Sequence, residues 1–225
     1  MYSNQKTGRI TGALLLFVFV SGILIFQVLQ GPVLFSDDYL STTSENANQV
    51  IASIVLGIFS GIVTIVIATL LLPIFKRYSM HLAYLYLAFC ILNFIAIMID
   101  NVSVLSMLEL SKEYVGNGGE SASTILESFV SEMHWWTHYM YLLISCFPVF
   151  ILYVTLYSSK LVPRVIAAFG ILAVVLMFIE QVSSIFGQSI SMNMLLPMGL
   201  IQLILPLWLL FKGFNASIPE PEMNQ

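Results

Sequence analysis

The sequence predicts an all-α integral membrane protein, a bundle of six transmembrane helices with both termini in the cytoplasm. Three observations carry this. Hydrophobic residues make up 59% of the 225 and charged residues only 9%, at a mean hydropathy of +0.94, whereas soluble domains carry about 25% charged residues. Six apolar runs, at about 10–29, 50–75, 82–108, 134–157, 165–186 and 191–211, each reach the length of about 20 residues that a membrane helix needs. With six spans, Lys6, Arg9, Lys76, Arg77, Lys160, Arg164 and Lys212 fall on one side and Lys112 alone on the other. Cytoplasmic loops retain Lys and Arg, so that side is the cytoplasmic one. The acidic residues cluster oppositely: Asp37, Asp38 and Glu45 in the first outer loop, and Glu109, Glu113, Glu120, Glu127 and Glu132 in or beside the second.

Residues 1–214 read as a single transmembrane domain, and 215–225, with Pro219-Glu-Pro-Glu, as a disordered cytoplasmic tail. Helix 1 follows Lys6 and Arg9 and is too long for a signal-peptide core. It is expected to stop at Gln30-Gly31-Pro32, because proline cannot continue the hydrogen-bond ladder. The stretch from Phe35 to Asn48, rich in Ser, Thr, Asp and Asn, reads as a solvated loop. Helix 2 carries Ser53, Gly57 and Gly61 at spacings of four, a small-residue seam that lets backbones approach in lipid. Pro73 and Lys76-Arg77 mark its inner tip. Helix 3 places Tyr86, Cys90, Asn93, Asp100 and Ser103 on one face, and Ser111–Thr124 reads as the second outer loop. Cys90 and Cys146 lie in apolar runs and read as packing residues.

Helix 4 opens with Glu132-Met-His134-Trp-Trp-Thr-His138. Glu127, Ser131, His134, His138, Tyr141 and Ser145 recur at spacings of three and four, which makes one polar stripe on an apolar helix. Such a stripe turns toward protein or water. Trp135 and Trp136 fit an outer aromatic belt. Pro148 is expected to kink the helix, with Ser145 compensating. Helix 5 starts at Pro163-Arg164 and carries Glu180, Gln181, Ser183 and Ser184 in its outer half. Helix 6, with Asn193, Pro197, Gln202 and Pro206, is expected to be irregular, anchored by Trp208 and Lys212.

Asp100, the His134/His138 pair and Glu180 therefore lie at similar depth on three helices. Ionisable groups at membrane depth cost roughly 2.5–3.5 kcal/mol each on insertion scales and pair with one another inside the bundle. The expectation is an outward-opening polar cavity lined by Asp100, His134, His138, Tyr141, Glu180 and Asn93. Three readings of it stand side by side. It binds or transports a small polar solute, an ion or a proton, since histidine beside a carboxylate titrates near neutrality. Or His134, His138, Asp100 and Glu180 ligate zinc, as in a metal-dependent intramembrane hydrolase. Or the network only pins helices together. The order Glu-x-His-x-x-x-His is not the zinc-protease pattern His-Glu-x-x-His. His81 lies at the cytoplasmic interface, too far in depth to join.

Two stretches, Tyr153-Val-Thr-Leu-Tyr157-Ser-Ser-Lys160-Leu-Val-Pro163-Arg164-Val with Phe169-Gly170, and Thr7-Gly8-Arg9-Ile10-Thr-Gly12, resemble a bacterial multi-pass membrane family called domain of unknown function family 4386. His138, 22 residues before Lys160, is similar to a histidine of that family's pattern. The resemblance implies a six-helix bundle across nearly the whole chain and a bacterial inner membrane, and it supplies no activity. A looser likeness to intramembrane zinc hydrolases of the ceramidase and adiponectin-receptor type meets a chain with only three histidines. Phosphate-binding glycine loops, nucleophile elbows and dinucleotide fingerprints are absent, and no basic patch suggests nucleic acid. The reading leans away from an enzyme. The partner it implies is the lipid bilayer.

Overall fold

Six helices long and apolar enough to cross a membrane account for most of the chain that the structure, a computed structural model, describes: residues 4–118, 124–188 and 192–215. In chain order these are α1 (Asn4–Ile23), a π-helical segment (Leu24–Gln30), α2 (Gly31–Leu34), α3 (Tyr39–Glu45), α4 (Ala47–Phe75), α5 (Met80–Gly116), α6 (Thr124–Ser159), α7 (Arg164–Ile185), a 3₁₀ turn (Met192–Leu195) and α8 (Leu196–Lys212). The all-helical membrane bundle is as the sequence reads.

The six long elements form a closed ring in chain order: α1 packs on α4, α4 on α5, α5 on α6, α6 on α7, α7 on α8, and α8 back on α1. This circle makes α6 the neighbour of both α5 and α7. A large apolar core, including Ile67, Leu71, Phe75, Tyr86, Leu156, Ile201 and Leu209, fills the ring toward the end where α8 stops. A smaller core of Val33, Leu34, Val50, Ile54, Val104, Met107, Leu108 and Val130 fills the other end. Cys90 and Cys146 are both free and buried in the large core, as packing residues.

Five details differ from the sequence expectation. Helix 1 does not stop at Gln30-Gly31-Pro32; it switches to π geometry and runs on to Leu34 as one span. Pro32 falls in the first turn of α2, where a missing N–H costs nothing. Gly31 is required at this switch, since a Cβ there would collide with the Phe26 carbonyl. The Gln49 amide donates to the Val28 and Leu29 carbonyls, both at 3.1 Å, and Gln30 donates to Ser53 Oγ at 3.0 Å.

The expected loop 35–48 instead folds as α3, capped by the Asp38 carboxylate. Its polar residues hid two that it buries, Leu40 and Thr43, as it packs on α5. Burial, and then the charge of Glu127, push the Tyr39 phenol above its ordinary range.

In the expected loop 111–124, residues 111–116 continue α5 and Thr124 begins α6, while 119–123 lie outside the described residues. At 37 and 36 residues, α5 and α6 are each about 55 Å long, well past the hydrocarbon thickness of about 30 Å. Apolar composition marks where the lipid ends, not where the helix does. Beyond it, α5 carries the exposed pair Lys112–Glu109 at 2.8 Å.

Finally, Ser145 donates to the Leu142 carbonyl at 2.6 Å and not to that of Ile144, the one Pro148 leaves without its usual donor. The tail was expected to begin at Asn215, yet that residue is fastened: its N–H donates to the Leu161 carbonyl and its side-chain amide to that of Lys160, both at 2.9 Å. Residues 216–225, the rest of the expected tail, lie outside the described residues.

Candidate functional site

The ring places the polar face of α5 against the polar stripe of α6. Asp100 and Ser103 come from α5; His134, Thr137, His138 and Tyr141 come from α6. Spacings of three and four put each set on one helical face, and the two faces meet.

Asp100 is the centre, 9% exposed. One carboxylate oxygen, Oδ1, lies 3.2 Å from the Thr137 hydroxyl and 3.8 Å from His134 Nδ1. The other, Oδ2, lies 3.5 Å from His138 Nδ1. Among the described residues its ion-pair partners are these two histidines, with no Lys or Arg. Ser103 Oγ sits 3.0 Å from His134 Nδ1 and 2.8 Å from Thr137 Oγ1, and 2.7 Å from the Asp100 carbonyl. His134 is 2% exposed. His138 is half-buried.

The aromatic surroundings come from the first span. The Phe26 ring, in the π segment, stacks on His138 at 5.9 Å between centroids, and Phe35 lies over His134 at 6.2 Å and Trp135 at 4.9 Å. Tyr141 meets His138 edge-on at 5.9 Å. The sequence expectation of an open cavity thus meets a site roofed by Phe26 and Phe35. A π segment re-aims the side chains that follow it, and such segments are frequent at functional sites.

Of the six residues expected to line the site, Asp100, His134, His138 and Tyr141 are brought together. Asn93 shares the face of Asp100 but lies two turns away; its Oδ1 is buried without a partner. Glu180 is not drawn in. It belongs to α7, on the other flank of α6, and its carboxylate accepts hydrogen bonds from Gln181 and Ser184 of its own helix. The convergence of Asp100, His134, His138 and Glu180 as four zinc ligands therefore does not form; among the described residues no group of three or more His, Cys, Asp or Glu is arranged to hold a metal ion.

Sequence reasoning missed Thr137 as the hub, because it lies between the two histidines and off their i, i+4 line. The signal was its place three residues after His134, where a hydroxyl faces the same side. Phe26 and Phe35 were also missed, since nothing in an apolar first span announces which ring will reach a distant helix.

Compared with known families, residues 10–213 match the profile described as domain of unknown function DUF4386. The chain belongs to that family. No curated protein and no solved structure matches it. The two stretches that carried the DUF4386 resemblance have a physical role far from Asp100. A Cβ on Gly170 would run into the Tyr153 ring, and one on Gly8 into the backbone of Phe214. A Cβ on Gly12 would lie 2.7 Å from the Leu210 nitrogen. Lys160 adopts a left-handed backbone with φ 57°, and its carbonyl receives Asn215. These residues close the ring at the end opposite the histidines. In this chain the glycines of the two stretches serve close packing, and Asp100, His134 and Thr137 lie outside those stretches.

Proposed function

We propose that this DUF4386 protein exchanges protons at Asp100, in a carrier-like role in which protonation of the Asp100–His138–His134 cluster is coupled to the passage of a proton or small polar solute. The observation that carries the reading is a carboxylate buried in a membrane-spanning helix whose ion-pair partners are two histidines. A permanent Lys or Arg partner locks a carboxylate in one charge state; histidine leaves the pair free to gain and lose a proton near neutral pH. Intramembrane ionisable groups mark ion and proton pathways by default, because their insertion cost otherwise selects against them. The Phe26 and Phe35 rings, stacked on His138 and His134, supply the apolar cover that a gated site needs.

The test is proton flux into proteoliposomes that hold a pH-sensitive dye, under an imposed pH gradient. Wild type is expected to move protons well above protein-free vesicles, and Asp100→Asn, folded to the same extent by thermal unfolding, to lose at least tenfold. Flux equal to that of empty vesicles in wild type, or unchanged in Asp100→Asn, overturns the reading and leaves a network that joins α5 to α6. The orientation with both termini in the cytoplasm belongs to the same proposal and rests on the segregation of basic residues.

A further inference from the structure

Among the described residues, the charged side chains at the end of the ring where α8 stops are all basic. Gly8 of α1 lies against Phe214, and Asn215 is bonded to the carbonyls of Lys160 and Leu161, so the start of α1, the α6–α7 turn and the end of α8 form one surface. Alternation of the spans adds the α4–α5 turn. This end carries Lys6, Arg9, Lys76, Arg77, Lys160, Arg164 and Lys212. The described Asp and Glu side chains, from Asp37 to Glu180, all belong to segments at or toward the other end. From this surface a shallow, open groove of about 370 Å³ runs up the side of α8, lined by Ile204, Leu207, Trp208, Phe211 and Lys212. The four apolar residues form one stripe along α8, with Phe211 75% exposed, and exposed Lys212 stands at its mouth. Arg9 donates to the Phe211 carbonyl at 3.5 Å, which brings a second cation to the same mouth.

We propose that this groove holds one acyl chain of an anionic glycerophospholipid, with the headgroup phosphate held by Lys212 and Arg9. The length fits: from Ile204 to Lys212 the helix rises about 12 Å, close to the depth of one leaflet of a hydrocarbon core about 30 Å thick. The charge fits too. A zwitterionic headgroup brings an ammonium into a field whose described side chains are cations, whereas an anionic one brings only the phosphate. Basic pockets beside membrane helices on the cytoplasmic side bind anionic headgroups by this logic. Arg supplies a forked donor and Lys a point charge. The site is independent of the Asp100 cluster at the other end of the bundle.

Native mass spectrometry of the full chain, released from detergent with equal amounts of phosphatidylglycerol and phosphatidylcholine of matched chains, tests it. The expected result is one retained phosphatidylglycerol at least fivefold more abundant than phosphatidylcholine. Lys212→Ala should bring the ratio near one. Phe211→Ala should lower retention of both lipids, and Lys112→Ala, at the opposite end, should change nothing. Lys212 and Phe211 are surface side chains, so these variants keep the fold, which their thermal unfolding checks. Equal retention of both lipids in wild type overturns the proposal. So does a preference that survives Lys212→Ala, displacement of the lipid by inorganic phosphate alone, or a lipid-independent dimer that Phe211→Ala dissociates.

Discussion

The hydroxyls of Thr137 and Ser103 lie 2.8 Å apart, and through that contact α6 is tied to α5 between the two histidines that flank Asp100. Thr137 also lies within bonding distance of Asp100 Oδ1 and of the His134 carbonyl, at 3.2 and 3.0 Å. It has one proton for three acceptors, so its bond is shared and shifts with the charge of Asp100.

Thr137→Val keeps the shape and removes that proton. The Asp100 carboxylate and Ser103 then lose a donor at a site too buried for water to replace it freely. The expected loss is roughly 1–2 kcal/mol, the range for an unmade partly buried hydrogen bond. It is read from thermal unfolding in detergent. Thr137→Ser restores the hydroxyl and should recover most of the loss; a Val variant as stable as wild type shows that the hub carries no strength.

Gly12→Ala should be destabilising by about 1–3 kcal/mol, the usual cost of overpacking. The added methyl meets the Leu210 nitrogen at 2.7 Å and the Pro206 carbonyl at 2.8 Å, and backbone on a packed helix has no room to move. Gly22 of the same helix has nothing within 4 Å of its Cβ position. Gly22→Ala should leave the melting temperature unchanged or raise it, because alanine favours helix by up to about 1 kcal/mol. Equal behaviour of the two variants would refute the α1–α8 seam.

The bundle itself was legible in the sequence because lipid imposes it: six apolar runs and one-sided Lys and Arg need no tertiary knowledge. The meeting of Asp100 with His134 and His138 was half legible. Periodicity put each set on one face, but which helices are neighbours is decided by the closed ring, which no local pattern encodes. Glu180 shows the consequence, matching the others in depth yet lying across α6 from Asp100. Phe35–Asn48 misled for a different reason. Its Ser, Thr, Asp and Asn favour caps and turns as well as loops, and Asp38 used that chemistry to start α3.

Orientation can be read from single cysteines introduced on a background lacking Cys90 and Cys146. Asp37→Cys and Asn117→Cys lie in exposed turns at the acidic end; at the basic end Arg77→Cys lies in an exposed turn and Ser158→Cys at an exposed position in the last turn of α6. In intact cells an impermeant maleimide is expected to label the first pair, and the second only after permeabilisation, since basic loops stay in the cytoplasm. Labelling of the second pair in intact cells would invert the bundle and set the proposed proton site facing inward.

The tautomers of the two histidines follow from counting protons. Ser103 has one, and its nearest acceptor is the Asp100 carbonyl at 2.7 Å. If Ser103 gives its proton there, His134 Nδ1, at 3.0 Å from Ser103 Oγ, must be the donor between them, and the Ser oxygen accepts from both His134 and Thr137. The alternative sends the Ser103 proton to His134 Nδ1, which then presents a lone pair to Asp100 Oδ1 3.8 Å away. Two acceptors face each other, and the carbonyl loses the side-chain donor it has beside its helical one. His138 Nδ1 faces Oδ2 at 3.5 Å and is a donor by the same reasoning. Both neutral rings should therefore carry hydrogen on Nδ1, each donating toward Asp100 or its partner. ¹⁵N spectra of histidine-labelled protein in lipid nanodiscs distinguish the two ring nitrogens directly. Nδ1-protonated signals are expected for both residues, assigned by His134→Gln and His138→Gln. Asp100→Leu removes the acceptor that holds His138 and should return that ring to the Nε2-protonated form common in water, while Ser103 keeps His134 in place. If His134 instead carries its proton on Nε2 in the wild type, Ser103 is donating to it, and the carboxylate is not the group that orders this cluster.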